Sequence, residues 1–474
     1  MNRIVFLFTG VIMCIPARAQ IGIGPGCFDQ GLNPTYGQSI AHLEGNGGIV
    51  VAGTIRQPGL QGSAIRTLRY SGHGDLLWSA TYQSDAKCFD VAASAAVARD
   101  YSVFVAGTSW KEGFSGTDAV LLRYDKGGRE EWRFRHQGPP GRNEARAVLL
   151  DSQNNAFLVV QLGRGPDSRM TLLKLSPTGE ILWEHSVSHE GLRVGKAALD
   201  QSGRVVVTGS LCSSTASEMG SCTDTDLFTV VYDSAGQMVW EARYHPAGTG
   251  AHQGIAVAAA PGGDVLVAGH RCNHAPAAPS LPGAPIGGAP CRTGDMLLLR
   301  YDAAGNLRWE AQFNDEQAGV YEASALSVDG NGFAVLAGNG SGQNQGFFVV
   351  KFDPFGNRHW AHRYHHEAYE VVSDLTQDWQ GGIYVTGGSV AESYLEFATV
   401  KLDMYGERQW VARYWGRGDR DFTAMGIAVD LDGRAVITGG TLDRIGVSES
   451  SIITIRYTPD GSEEWVAREN TVQP

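Results

Sequence analysis

Residues 300–309 read Arg-Tyr-Asp-Ala-Ala-Gly-Asn-Leu-Arg-Trp: the end of one short strand, a turn, and a second strand that carries a tryptophan. The phrase D-x-x-G-x-x-x-W, with Ser or Thr sometimes replacing Asp, occurs eight times in the chain. Its copies are Ser71/Gly74/Trp78, Asp125/Gly128/Trp132, Ser176/Gly179/Trp183, Asp233/Gly236/Trp240, Asp302/Gly305/Trp309, Asp353/Gly356/Trp360, Asp403/Gly406/Trp410 and Thr458/Gly461/Trp465. Successive tryptophans lie between 50 residues (Trp360 to Trp410) and 69 residues (Trp240 to Trp309) apart, the length of one propeller blade. The copies therefore decide the fold class. It is all-β, a single eight-bladed β-propeller of four-stranded antiparallel blades, with seven blades plus a stray copy as the alternative.

Working outward from the phrase, the fifth copy divides into four strands. Ile255 to Ala260 is a run of small apolar residues, turned by Pro261-Gly262-Gly263; Asp264 to Ala268 follows and ends at Gly269; after a loop come Met296 to Tyr301 and Leu307 to Phe313. In the turn, the Asp, Ser or Thr oxygen accepts backbone N–H bonds and the glycine supplies positive φ, which fixes the hairpin register. The tryptophan is large enough to fill the wedge that widens between neighbouring blades. Arg69, Arg123, Lys174, Arg300, Lys351, Lys401 and Arg456 share one third-strand position, and a stem along the sheet edge with a solvated or paired charge is expected there. The repeats run approximately 36–88, 89–142, 143–192, 193–251, 252–319, 320–368, 369–420 and 421–474, after an N-terminal segment 20–35.

Composition agrees with an all-β chain rich in turns: 62 of 474 residues are glycine, 43% are hydrophobic and 19% charged. The formal net charge is −12, with no basic stripe, which argues against duplex nucleic acid or an anionic membrane as partner. Met1-Asn2-Arg3, the apolar run Ile4 to Ile15 and Ala17-Arg18-Ala19 read as a signal peptide (1–19) cleaved after Ala19. A secreted or periplasmic product is expected, with no membrane insertion. Cys14 would leave with that segment, and the remaining six cysteines fit disulfides. Cys212/Cys222 and Cys272/Cys291 bracket the same loop in neighbouring repeats, which leaves Cys27 with Cys88; a metal site is the rival, although no C-x-x-C spacing occurs.

At the repeat text, for example Asp329 to Gly338 followed by Val350 to Trp360, the chain resembles the SBBP-type β-propeller repeat family. That resemblance implies an architecture and an exported or cell-surface setting, not one reaction. A weaker likeness is to pyrroloquinoline quinone (PQQ) dehydrogenases and other eight-bladed propellers whose repeats close with Gly-x-x-x-Trp. Their adjacent cysteine pair is missing here, and the Asp–Gly spacing is one residue tighter, so no cofactor is implied.

In such a ring the long loops between second and third strands share a face with the connections between blades, and variable loops on a regular scaffold are where binding is expected. On that face His365, His366, Trp415, Arg417 and Asp419 are the candidates, the last two within an Arg-Gly-Asp tripeptide. His362 and Glu367 could join His365 and His366 in a metal cluster, with surface histidines as the plainer alternative. Asn339-Gly340-Ser341 matches a glycosylation acceptor, and Asp329 and Asp430 open turns that resemble parts of calcium loops. No catalytic, cofactor-binding or metal motif occurs. The expected function is a non-enzymatic binding or scaffold protein, monomeric, engaging a protein or glycan through the long-loop face. The alternative is an extracellular polymer-degrading hydrolase or lyase with Glu144, Glu322, Glu370 and Asp421 at the channel mouth.

Overall fold

The computed structural model describes residues 37–42, 48–55, 62–85, 89–111, 116–163, 167–213, 224–246, 250–273, 293–315, 319–341, 345–366, 370–391, 394–416, 421–442 and 451–470. Signal-peptide cleavage, Cys27, Cys88, Cys222, Cys291, Glu367, Arg417 and Asp419 lie outside them. The described residues hold thirty-two strands, numbered in chain order, in eight four-stranded antiparallel sheets. Each sheet is one contiguous stretch of chain, so the count of eight blades stands.

The first strand of every blade is innermost: β1 (Gly37–His42), β5 (Asp90–Val97), β9 (Asn143–Leu150), β13 (Arg193–Leu199), β17 (His252–Ala259), β21 (Tyr321–Val328), β25 (Glu370–Gln377) and β29 (Asp421–Val429). These eight pack in a closed cycle, β29 against β1 included, around a central channel. The ring closes without exchanging a strand. Arg66 of the first blade pairs with Glu469 of the eighth, and the Tyr70 ring lies 6.0 Å from that of Trp465.

The recurring phrase of the repeat builds the seams between blades. Each tryptophan Nε1–H donates to a carbonyl in the following blade's third-to-fourth-strand turn: Trp78 to Lys126, Trp132 to Pro177, Trp183 to Ser234, Trp240 to Ala303, Trp309 to Pro354, Trp360 to Met404, Trp410 to Pro459, and Trp465 to Gly72 across the closure. The turn glycine then has two duties. Gly305 has φ +89°, and a Cβ on it would lie 2.7 Å from the Trp240 ring. The tryptophan thus holds the next blade as well as filling the wedge.

The third-strand cations complete the same joint. Arg69, Arg123, Lys174, Arg300, Lys351, Lys401 and Arg456 each donate to the carbonyl that accepts the adjacent tryptophan. The fourth blade has Val231 at that position, opposite Trp240. There Arg204, from a different turn, reaches the Ala303 carbonyl at 3.3 Å and pairs with Asp200 at 2.6 Å. One guanidinium takes over the missing role from another direction.

Strand ends differ from expectation at one informative place. In the fifth blade β18 (Val265–Cys272) does not stop at Gly269 but runs through it. All eight first strands carry a β-bulge, and Gly269 faces the one in β17, where a Cβ would land on the Gln253 carbonyl. That glycine marks close approach inside a strand and does not terminate it.

Candidate functional site

The channel is lined by the bulged segments of the first strands, and two ionisable side chains reach into it. Lys196 (blade four) and Asp374 (blade seven) approach to 4.0 Å, Nζ to Oδ1. Blades four and seven are not neighbours, so this pair crosses the lumen. Asp374 Oδ2 also accepts the Ile427 N–H of blade eight at 3.2 Å. Burial raises the Asp374 pKa, and Lys196 opposes that rise.

The bulges open backbone donors that neighbouring blades cap. Ala92, Ala145, Val194 and Val372 donate their N–H groups to Thr54, Thr108, Gln161 and Asn339 of the preceding blade. Asn339 accepts at 2.6 Å through Oδ1 and donates through Nδ2 to Ser324 at 3.1 Å. Its side chain is committed inside the ring, which explains the Asn-Gly-Ser triplet as structure.

The expected channel-mouth carboxylates are spread over blades three, six, seven and eight. Glu144 is held by Arg146 at 2.7 Å and Arg142 at 3.9 Å. Glu370 accepts from the His366 N–H at 2.7 Å and contacts His365 Nδ1 at 3.0 Å. Glu322 sits on β21 in register with Asn339 and acts on His270, whose pKa burial lowers and Glu322 raises. The side chain of Asp421 is outside the described set. Geometry does not gather the three described groups into one site.

On the long-loop face, His365 and His366 join blades six and seven. His366 Nε2 also meets Arg413, which pairs with Glu396. His362 lies apart from them, against the turn of the next blade: burial lowers its pKa, Arg408 adds to that, and Gly406 opposes it. His362 therefore does not join His365 and His366, because it precedes the strand end while they follow it, in keeping with the plainer reading of surface histidines. Trp415 is 60% exposed on this face. Asp430, opening a turn on the other face, gives Oδ2 to Arg456 at 2.6 Å, so it serves the joint and not a calcium loop. Among the described residues no group of three or more His, Cys, Asp or Glu is placed to hold a metal.

β14 (Val205–Cys212) and β18 each end on a cysteine, Cys212 and Cys272. Beside them, His245 Nδ1 lies 3.0 Å from Asp226 and its ring 5.2 Å from that of His252. His252 is fully buried, and burial, reinforced by His245, Arg271 and His270, pushes its pKa down to about 4. Burial raises Asp226, with His245 opposing. This cluster anchors the foot of the loop between Cys212 and Asp226.

Sequence reasoning missed a feature of the opposite, short-turn face. A cleft of about 690 Å³ opens where the first-to-second-strand turns of blades two, three and four meet. Val97, Leu150 and Leu199 line it together with Arg99, Gln153, Asn154 and Gln201. Its acids are neutralised, Asp151 by Lys174 at 3.0 Å and Asp200 by Arg204. Farther round, Trp379, Leu431, Phe355 and Tyr405 are 72%, 76%, 79% and 71% exposed, and the Trp379 N–H is fixed on the Leu431 carbonyl at 2.9 Å. The signal available in sequence was non-glycine residues, Tyr101 and Asn154, at a turn position that is glycine in blades four to eight.

Fold and site together define an eight-bladed β-propeller with tightly tied seams and two chemically distinct faces. No known family matches the sequence, and no curated protein matches it. Among solved structures, polysaccharide lyase Uly1 is similar with TM-score 0.49 and 12% identity, covering 93% of this chain and 91% of that one. The β-propeller domain of the trilobed protease from Pyrococcus furiosus is similar with TM-score 0.45 and 10% identity, covering 81% and 96%. A puromycin hydrolase gives TM-score 0.45 and 12% identity, covering 85% of this chain and 58% of that one. At such identities the likeness is one of fold alone. Among the described residues no helix is long and apolar enough to cross a membrane.

Proposed function

We propose that this protein is an exported, non-enzymatic binding scaffold of the SBBP-type repeat, which holds a protein or glycan partner on a face of the ring. The observation that carries this is the use the ring makes of its own ionisable groups. Lys196 and Asp374 engage each other across the channel, Glu144 is held by arginines, Glu370 by the His365–His366 corner, and Asp430 by Arg456. Chemistry at the axis would need charged groups free to meet a substrate. The faces, in contrast, carry side chains that the fold does not require.

The long-loop face is the first place to look, with disulfides 27–88, 212–222 and 272–291 pinning its loops. Immobilised protein challenged with cell-envelope extract tests the reading. We expect a partner retained by the intact chain and lost on substituting one face, Trp415→Ser on the long-loop side or Arg99→Gln on the other. Recovery of no partner, or retention by both variants, would overturn it. Non-reducing peptide mapping of the exported protein checks the pairing, and its N-terminal sequence checks cleavage after Ala19.

A further inference from the structure

We infer that the cleft on the short-turn face is a saccharide-binding subsite that takes a pyranose unit bearing a carboxylate. The inference rests on the binding-scaffold reading and gives it a ligand class and a face. Three half-buried aliphatic side chains (Val97, Leu150, Leu199) in a cleft otherwise lined by amide, hydroxyl and guanidinium groups match a sugar ring, whose C–H face is apolar and whose edge is hydroxylated. With Asp151 and Asp200 already paired to cations, the charge left to a ligand there is that of exposed Arg99. A guanidinium binds a carboxylate through two parallel bonds.

A second, independent observation points to the same turns. Among the described residues the only non-glycines with positive φ are Tyr101 (φ 65°) and Asn154 (φ 62°). They occupy the turn position held in blades four, six, seven and eight by Gly203, Gly332, Gly381 and Gly433. Such a conformation is unfavourable for an ordinary residue and less so for Asn. In return, Asn154 Oδ1 accepts the Arg99 N–H at 3.2 Å and ties the turn that carries the guanidinium to its neighbour. Glycine could make the turn but could not make this tie. Strain kept where a surface cleft opens is the pattern of a pre-organised site.

The test uses the full chain and soluble oligosaccharides of defined charge: trigalacturonate, and maltotriose as the neutral counterpart. Isothermal titration calorimetry should show saturable trigalacturonate binding and maltotriose at least about tenfold weaker. Arg99→Gln should weaken trigalacturonate about tenfold and leave maltotriose unchanged. Asn154→Gly should weaken trigalacturonate at least about threefold with the denaturation midpoint nearly unchanged, because relief of the φ strain is offset by the lost Arg99 tie and a more flexible unfolded chain. A merely structural Asn154 would move the midpoint and not the affinity. Absence of trigalacturonate binding at millimolar concentration, or binding unaffected by both substitutions, overturns the subsite. If Arg99→Gln still captures the envelope partner of the intact chain, the scaffold reading survives that loss; capture of nothing by either protein removes both.

Discussion

The seam between blades four and five gives a quantitative prediction, because two glycines of one blade share a backbone conformation but not an environment. Gly262 has φ +80° with no atom within 4 Å of the point where a Cβ would stand, whereas Gly305 has φ +89° with the Trp240 ring 2.7 Å from that point. Alanine at either site adopts a left-handed conformation costing about 1–2 kcal/mol, offset by about 0.4–1 kcal/mol through a less flexible unfolded chain. Gly262→Ala should therefore lose about 1 kcal/mol. Gly305→Ala must also displace the indole, at about 1–3 kcal/mol for overpacking. It also breaks the Trp240 bond to Ala303, 3.2 Å long, worth about 0.5–1.5 kcal/mol. The two variants should differ by about 2–4 kcal/mol. Guanidinium denaturation followed by tryptophan fluorescence measures this, at equal slope. Coincident midpoints would refute the double duty assigned to the turn glycine, as would strict additivity of Gly305→Ala with Trp240→Ala, since both substitutions act on one contact.

Three further outcomes follow from other contacts. Arg204→Ala should cost about 2–3 kcal/mol, having removed a charged donor from Asp200, Gly263 and Ala303, and Val231→Arg should restore part of it by supplying the third-strand cation of the other blades; no recovery in the double variant would disprove the substitution of roles. His252, whose folded pKa of about 4 lies below the unfolded value of 6.5, leaves stability intact above pH 6.5 and removes it as pH falls toward 4, because only the unfolded chain takes up the proton. The loss is at most about 3 kcal/mol, and a His252→Asn variant should show a denaturation midpoint flatter in that window. Asn339→Ala should cost about 1–3 kcal/mol by orphaning the Val372 N–H, and intact-mass measurement should find Asn339 without a glycan.

The architecture was legible because its determinants are local and occur eight times. A D-x-x-G-x-x-x-W phrase names a turn, a positive φ and a bulky outer-strand residue within eight positions, and repetition makes each copy evidence for the others. Direction across the seam was not legible. Nothing in the phrase says that Trp240 bonds forward to Ala303 and not within its own blade, since that depends on how two sheets pack. Gly269 illustrates the same limit: a glycine at the expected end of a strand and a glycine opposite a bulge are written with the same letter, and only pairing with Gly254 distinguishes them.

The candidate site was less legible for a related reason. Variation in loop length is plain in the sequence, as between Gly209 and Asp226 or Gly269 and Asp295. The cleft of blades two to four opens instead beside turns whose residues change at constant length. Tyr101 and Asn154 replace glycine without changing the turn, because the Asn154 and Tyr101 N–H groups close on Asp151 and Ala98 as the Gly203 N–H closes on Asp200. What differs is the energy stored and the side chain presented. In a repeat protein the ring specifies what every copy must keep, so a copy that departs from the common residue at an unchanged backbone position, and bears strain to do so, points to a duty that the ring itself does not impose. By that criterion the turns of blades two and three carry more information about function than the tryptophans that define the fold.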